Sequence, residues 1–368
     1  MLSSVAAFLL GLVGLLGAGH VLVDSASRIG ARLGLTPMAI GLTIVAAGTS
    51  APELAVVGQA IVVNDTELAV GSIIGSNISN VLLVLGLAAV IGKIAVTTRA
   101  VQTDIPVMIA ASVAFVLFSL DGAIERHEGV LMLLSLLAFV GWTLRATRSD
   151  PSDRGESVDG RRLSQGVPVR GSIIRLVVAV VGLSIAARFV VRGAEGIAEA
   201  IGLPELVVGL TVVALGTSAP EIVTTLVAAT RGRADLAVGN AVGSNIFNIL
   251  LVLGAAGLVA PDGIAISSDA LRLDLPVLLA AAIACLPVVA WDHTLDRWEG
   301  GVFVGYYISY TVFLFLDGSG NGIAQPFAIV MLGLVLPLTI ITMVVVIVRA
   351  RRHLNTSRLS DLSKVDLN

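Results

Sequence analysis

Hydrophobic residues in this chain fall in long blocks separated by short polar stretches, rather than recurring at every second or every third to fourth position. Reading for runs without charge gives eleven segments, at 5–27, 38–62, 68–92, 103–120, 128–147, 173–198, 206–230, 236–260, 274–290, 299–316 and 323–348. Most reach or approach the ~20 apolar residues that a helix needs to cross a bilayer. The pattern predicts an all-α polytopic membrane protein of about eleven spans. The first run has the length of a signal peptide, but no Lys or Arg precedes it and the first basic residue, Arg28, follows it. It is expected to be a retained helix that enters from outside.

Composition strengthens this picture. Residues of the AVILMFWYC class make up 56% of the chain and charged residues 13%, about half the ~25% usual in soluble domains. Disordered segments are polar, so an apolar chain with 39 Gly is not one of them. A net charge of −3 suggests no nucleic-acid partner, and the single cysteine, Cys285, excludes a disulfide framework or a cysteine-based metal site. Cytoplasmic loops hold the excess of Lys and Arg. With the N-terminus outside, 19 of the 23 basic residues fall on the cytoplasmic side, leaving Arg126, Arg188, Arg192 and Arg272. The expected topology is therefore N-terminus out and C-terminus in, in a plasma (inner) membrane; the short loops suggest a prokaryotic one. The one sizeable polar stretch, Arg148 to Arg170, contains DPSDRGESVDGRR and has no periodic apolar face. It reads as a flexible cytoplasmic linker.

On either side of the linker the chain repeats itself. GLTIVAAGTSAPEL (41–54) returns as GLTVVALGTSAPEI (209–222), and LAVGSIIGSNISNVLLVLG (68–86) as LAVGNAVGSNIFNILLVLG (236–254), both offset by 168. Weaker echoes match Asp104 and Pro106 with Asp274 and Pro276, and Asp121, Arg126, Glu128 and Gly129 with Asp292, Arg297, Glu299 and Gly300. The expected organisation is a first five-helix repeat (1–147), a linker (148–171), a second repeat (172–316), an extra C-terminal span (323–348) and a cytoplasmic tail (349–368). Because five is odd, the second copy enters the membrane in the opposite direction. That is the inverted-repeat plan of secondary transporters, with the site at the midplane between the repeats.

The repeated segments carry the chemistry. Each of the spans 38–62 and 206–230 has one acidic residue near its middle, Glu53 and Glu221. An ionisable group there costs at least ~2.5–3.5 kcal/mol and usually faces a cavity or an ion. A lone membrane Glu can be protonated and hydrogen-bonded in the bundle, but two in one repeated motif are better explained by an ion site. Both follow a breaking sequence, Gly48-Thr49-Ser50-Ala51-Pro52 and Gly216-Thr217-Ser218-Ala219-Pro220. Proline has no N–H and clashes with the carbonyl four residues back, so a kink or unwinding is expected at Gly48 and Gly216. Thr49, Ser50 and Glu53 then share one helix face, as do Thr217, Ser218 and Glu221. Ser72, Ser76 and Asn80, and likewise Asn240, Ser244 and Asn248, form polar stripes spaced i, i+4, i+8. Gly71, Gly75, Gly239 and Gly243 beside them would admit a close helix neighbour, and Asn77 and Asn245 would serve packing. A hard cation such as Ca²⁺ takes six to eight oxygens, and two carboxylates would neutralise it. The absence of Cys and His from these motifs disfavours softer metals. The same pocket could instead hold monovalent cations or protons.

With GTSAPE and GSNISN in one half and GTSAPE and GSNIFN in the other, the sequence resembles the cation/calcium exchanger superfamily, most closely its sodium/calcium exchanger-like branch. The resemblance implies ten helices in two inverted sets of five, alternating access and Na⁺-driven Ca²⁺ antiport, with no cofactor. By that resemblance Glu53 and Glu221 are shared Ca²⁺ and Na⁺ ligands, and Thr49 and Thr217 give carbonyl or hydroxyl oxygens. Ser50, Ser76, Ser218 and Ser244 line Na⁺ sites, Asn80 and Asn248 complete the centre, and the carbonyls of Ala46 and Ala214 are additional Na⁺ ligands. The sequence departs from the pattern twice: some members have Asp at one position matching Asn80 or Asn248, and the span 323–348 is extra. The resemblance also makes spans 5–27 and 173–198 long gating helices. His20 and Asp24 there align with Arg188 and Arg192, as snorkelling anchors or, less favoured, as gate residues.

Ca²⁺/H⁺ exchange is the near alternative, since a midplane Glu can carry a proton, and a cation-selective channel is a more distant one. No HExxH motif, Ser/His or Asp/Asp pairing or phosphate-binding loop suggests an enzyme.

Overall fold

A computed structural model of the chain describes residues 1–149, 169–200, 216, 218–289, 293–318, 322, 324–331 and 340. Its elements, in chain order, are α1 (Leu2–Leu33), α2 (Pro37–Val62), α3 (Thr66–Ile91), β1 (Ile94–Ala95), α4 (Ala100–Asp121), β2 (Ala123–Ile124) and α5 (Arg126–Ser149). There follow α6 (Val169–Ala200), α7 (Ala219–Thr230), α8 (Ala234–Val259), β3 (Ile264–Ala265), α9 (Leu275–Val289), β4 (Thr294–Leu295), α10 (Arg297–Gly318) and α11 (Ala324–Val330). The chain divides into two compact units, Met1–Ile308 and Ser309–Asn368. The first contains the candidate site; of the second, the structure describes mainly the end of α10 and α11.

Among the described residues, eight helices are long and apolar enough to cross a membrane: α1 to α6, α8 and α10. The other three expected spans are seen only in part or shorter. Span 206–230 is described from residue 216 onward without 217, span 274–290 appears as α9, and of span 323–348 mainly α11 is described. Most of the linker, the tail 349–368, and the expected site residues Ala214 and Thr217 lie outside the described residues.

The helices begin and end where local chemistry demands. Thr36 caps α2, its hydroxyl accepting from Ala39 N at 3.3 Å, and Asp65 caps α3, accepting from Leu68 N at 2.9 Å. Glu128 and Glu299, weak echoes in sequence, have one structural job. Each accepts from the backbone N–H three residues earlier, of Glu125 and Asp296, at 2.8 Å, closing the first turn of α5 and of α10.

Two features were not legible as helical spans. The architecture is all-helical apart from four two-residue strands among the described residues: β1 pairs antiparallel with β4 and β2 with β3, so each ribbon ties one half of the chain to the other. Among the described residues five π-helical turns also occur, at Gly41–Val45, Asn80–Leu85, Ala100–Asp104, Asn248–Leu253 and Ala270–Asp274. The third and fifth end two residues before Pro106 and Pro276, whose missing N–H groups disturb the ordinary i→i−4 ladder.

Glycine decides how closely the central helices approach. A Cβ on Gly41 would lie 2.6 Å from the Leu236 carbonyl oxygen, and one on Gly239 would lie 2.6 Å from that of Met38. One on Gly243 would lie 2.8 Å from Leu42 Cα. Hence α2 and α8 touch backbone to backbone, as the small residues of α8 suggested. The segment that would face Gly71 and Gly75 by the same repeat, 206–214, lies outside the described residues. An apolar cluster joins α1, α2, α6, α7 and α8 through Leu15, Leu22, Val45, Leu183, Val227 and Leu236.

Candidate functional site

The breaks in α2 and α7 set the position of the two carboxylates. Backbone angles at Ser50 (φ −77°, ψ −2°) and Ser218 (φ −84°, ψ 0°) depart from helical values in the same way, and a new helix starts at Ala51 and at Ala219. In α2 the break is a single residue wide and lies two residues past Gly48, not at it. Ser50 N still donates to Ala46 O at 2.9 Å and Leu54 N to Ser50 O at 3.1 Å, so the chain kinks without unwinding. Glu53 and Glu221 fall in the first turn of the new helices, where the helix dipole favours negative charge.

Both carboxylates are almost entirely buried, and they lie in electrostatic reach of each other. Thr49 is close to Glu221 and forms the junction between α2 and α8. Its hydroxyl lies 3.1 Å from Ser244 Oγ, 3.2 Å from Asn240 Oδ1 and 3.3 Å from Ala46 O. Asn240 Nδ2 in turn donates to Thr225 Oγ1 at 2.9 Å. A hydrogen-bonded chain therefore runs from α2 through α8 to α7.

The two π-turns bring in the amide residues. Asn80 opens one, which packs on α7, and Asn248 opens the other, which packs on the second part of α2, so each amide stands beside the other half's acidic helix. Such turns often sit at functional positions, because they re-aim side chains without breaking the helix. Ser76 lies one turn before Asn80, and Ser244 one turn before Asn248.

Polar atoms here are buried and largely unpaired. Glu53 Oε1 and Oε2, Glu221 Oε1 and Oε2, both amide atoms of Asn80 and Asn248, and the hydroxyls of Ser50, Ser76 and Ser218 have no hydrogen-bond partner among the described residues. Buried carboxylates without partners cost several kcal/mol each unless a counter-charge accompanies them. Oxygen donors in this number suit a hard cation.

Some expected residues behave differently. The Ala46 carbonyl accepts from Ser50 N and has Thr49 Oγ1 3.3 Å away, so it would meet a cation with its second lone pair. Asn77 bonds the Ile73 carbonyl of its own helix at 2.7 Å, and Asn245 reaches Met108 Sδ on α4 at 3.4 Å. His20 binds the Leu16 carbonyl, while Asp24 pairs with Arg231. Sequence reasoning placed Asn240 on a polar stripe but left Thr224 and Thr225 out of the site. Thr224, one turn past Glu221, is fully buried and its hydroxyl is unpaired. The only signal was that the first half has Val56 and Val57 at the equivalent positions.

The family described as sodium/calcium exchanger protein matches this chain twice, over residues 3–145 and 171–316. Sodium/calcium exchanger MaX1 of Methanosarcina acetivorans is 32% identical over 343 residues, covering 83% of this chain and 97% of that protein. Inner membrane protein YrbG of Escherichia coli is 32% identical over 322 residues, covering 86% and 98%. Among solved structures, the sodium-calcium exchanger NCX_Mj soaked with zero Na⁺ and Ca²⁺ superposes with a TM-score of 0.72 at 29% identity, over 84% of this chain and 98% of that one.

Proposed function

The chain belongs to the sodium/calcium exchanger family of membrane antiporters, which are cation exchangers and not enzymes, and from that premise we propose that it exchanges Ca²⁺ for Na⁺ by alternating access. The observation that carries this reading is the buried pair Glu53 and Glu221, each in the first turn of a half-helix and surrounded by unpaired oxygens. Two like charges side by side in a membrane protein require a cation or a proton between them. One Ca²⁺ neutralises both, and Na⁺ ions occupying overlapping oxygens displace it. Competition for the same carboxylates couples the two fluxes.

In this reading Glu53 and Glu221 are the Ca²⁺ ligands, with an oxygen each from Thr49 and Thr217. Ser50, Ser76, Ser218, Ser244, Asn80, Asn248, Ala46 and Ala214 take part in the Na⁺ sites. With Asn at both 80 and 248, the centre has two negative charges. The five-helix halves 1–147 and 172–316 are inverted copies, a plan supported by the way each ribbon pairs a strand of one half with a strand of the other. The topology is N-terminus out and C-terminus in, with 323–348 an eleventh span.

Proton coupling is the second reading, because a proton can replace the cation that the carboxylate pair requires. Purified protein in liposomes separates the two. Ca²⁺ uptake is expected to follow an outward Na⁺ gradient and to ignore a pH gradient of matched size; uptake indifferent to Na⁺ rejects Na⁺ coupling. Flux without any counter-ion requirement rejects exchange altogether.

A further inference from the structure

The turns joining α2 to α3 and α7 to α8 are one turn built twice. Asn64 and Gly232 both have positive φ, 59° and 70°. Asp65 N donates to Ala60 O at 2.8 Å and Arg233 N to Ala228 O at 2.9 Å; their own carbonyls accept from Ala69 N at 3.3 Å and Ala237 N at 3.1 Å. Asp65 and Arg233 therefore occupy the same structural position with opposite charge. The first helix of each half shows the complementary inversion, since Asp24 on α1 stands where Arg192 stands on α6, at the same offset of 168.

Only one of the two resulting pairs is made. Arg231 Nη1 donates to Asp24 Oδ1 at 2.7 Å, and Arg233 Nη1 lies 3.6 Å from that oxygen and donates to Ser27 Oγ at 3.1 Å. These contacts hold α1 against the α7–α8 turn. The equivalent pair, Arg192 with Asp65, is not formed: both residues are exposed, and Asp65 is occupied with capping α3. Arg192 has Arg188 one turn before it and Glu195, which takes the place of Ser27, one turn after it.

We propose that Asp24 with Arg231 and Arg233, and Arg192 with Asp65, are two ion-pair latches made alternately, each pinning the first helix of one half to the turn of the other. The contact common to both copies, Asp24 with Arg233 and Asp65 with Arg192, is made once and open once, as in an inverted repeat halted facing one side, and Arg231, whose counterpart is Val63, strengthens the made copy. On the N-out topology the made latch is cytoplasmic, and the site faces outward. The partial exposure of the made latch fits this role, with side chains 22–38% exposed. Pairs this accessible bias an equilibrium without trapping it. The proposal rests on the alternating-access reading above.

The test places cysteines at the open latch, Asp65→Cys with Arg192→Cys, in a Cys285→Ser background in liposomes, and joins them with a short bis-maleimide. The cross-link is scored by mass on denatured protein. It is expected to form, and to form about two- to five-fold faster when Asp24→Asn removes the made latch, the range an exposed ion pair supports. No cross-link, or a rate indifferent to Asp24, overturns the proposal. A second measurement uses milder changes: Asp65→Asn, which keeps an oxygen for the cap, and Arg192→Gln. The double variant is expected to exchange at the rate of either single one, and additive losses overturn the latch. Cross-linking needs no transport, so a wild-type protein that fails to exchange ions defeats the functional reading and leaves the latch to be judged on its own.

Discussion

Over their apolar stretches α3 and α8 are 83% and 78% buried, whereas α1 and α6 are each 22% buried. Both regions use glycine for close approach, with different results. Between α2 and α8 the approach aligns polar side chains, Thr49 with Asn240 and Ser244, around two carboxylates. Between α1 and α6 a Cβ on Gly11 would lie 2.7 Å from Val190 N and 2.9 Å from Ala186 O, and the outer faces carry Leu9, Leu10, Val13, Val177 and Val178. The centre is thus a polar cage held by hydrogen bonds that run from helix to helix. The flank is a smooth apolar pair joined to the centre by apolar contacts and one half-exposed ionic cluster. Such a division suits a site that stays in place while its flank moves.

The comparison is best broken at the carboxylates. Glu53→Gln and Glu221→Gln are each expected to reduce Ca²⁺ transport to background while insertion, followed by detergent-solubilised yield and monodispersity, is unchanged; transport retained by either variant would remove that residue from the site. Next in size is packing. Gly239→Val in the centre should lower stability by about 1–3 kcal/mol, because the Met38 carbonyl has nowhere to go, and a thermal melt in detergent would read it.

The two halves of the centre can also be set against each other. Asn240→Ala leaves Thr49 and Thr225 without their shared partner and should cost about 1–3 kcal/mol. Ser72→Ala, at the equivalent position, removes a hydroxyl with no partner among the described residues and should change the melt by less than about 0.5 kcal/mol. Equal effects would show that the asymmetry has no energetic content. The smallest effect belongs to the flank: Gly17→Ala on α1, where a Cβ meets nothing within 4 Å, should be neutral or stabilising by up to about 1 kcal/mol.

How much of this was readable beforehand depends on the kind of interaction. The apolar helices, the duplicated motifs and the two acids set within apolar segments were legible because charge in lipid is costly and therefore rare, so each exception is conspicuous. The kink was foreseen from Pro52 and Pro220, but its position was not. Proline removes one hydrogen bond, and the neighbouring turns decide which residue takes up the bend; here Ser50 and Ser218 do. The π-turns at Asn80 and Asn248 were not legible either, since a widened turn leaves almost the same residues on the apolar face. Asp24 looked like an interfacial anchor because its partners Arg231 and Arg233 are more than 200 residues away in the chain.

The sequence alone therefore determined that this is a duplicated membrane protein with one acidic residue in each half's breaking motif. Hydropathy and repetition are local or self-referential properties, and they survive without coordinates. Only the tertiary structure decided that Thr49 is held by Asn240 and Ser244, that short ribbons tie the halves together, and that one of two equivalent ion pairs is made. Each of these depends on how two distant segments approach, and in lipid that approach is set by backbone contact at glycine and by the pairing of buried polar groups.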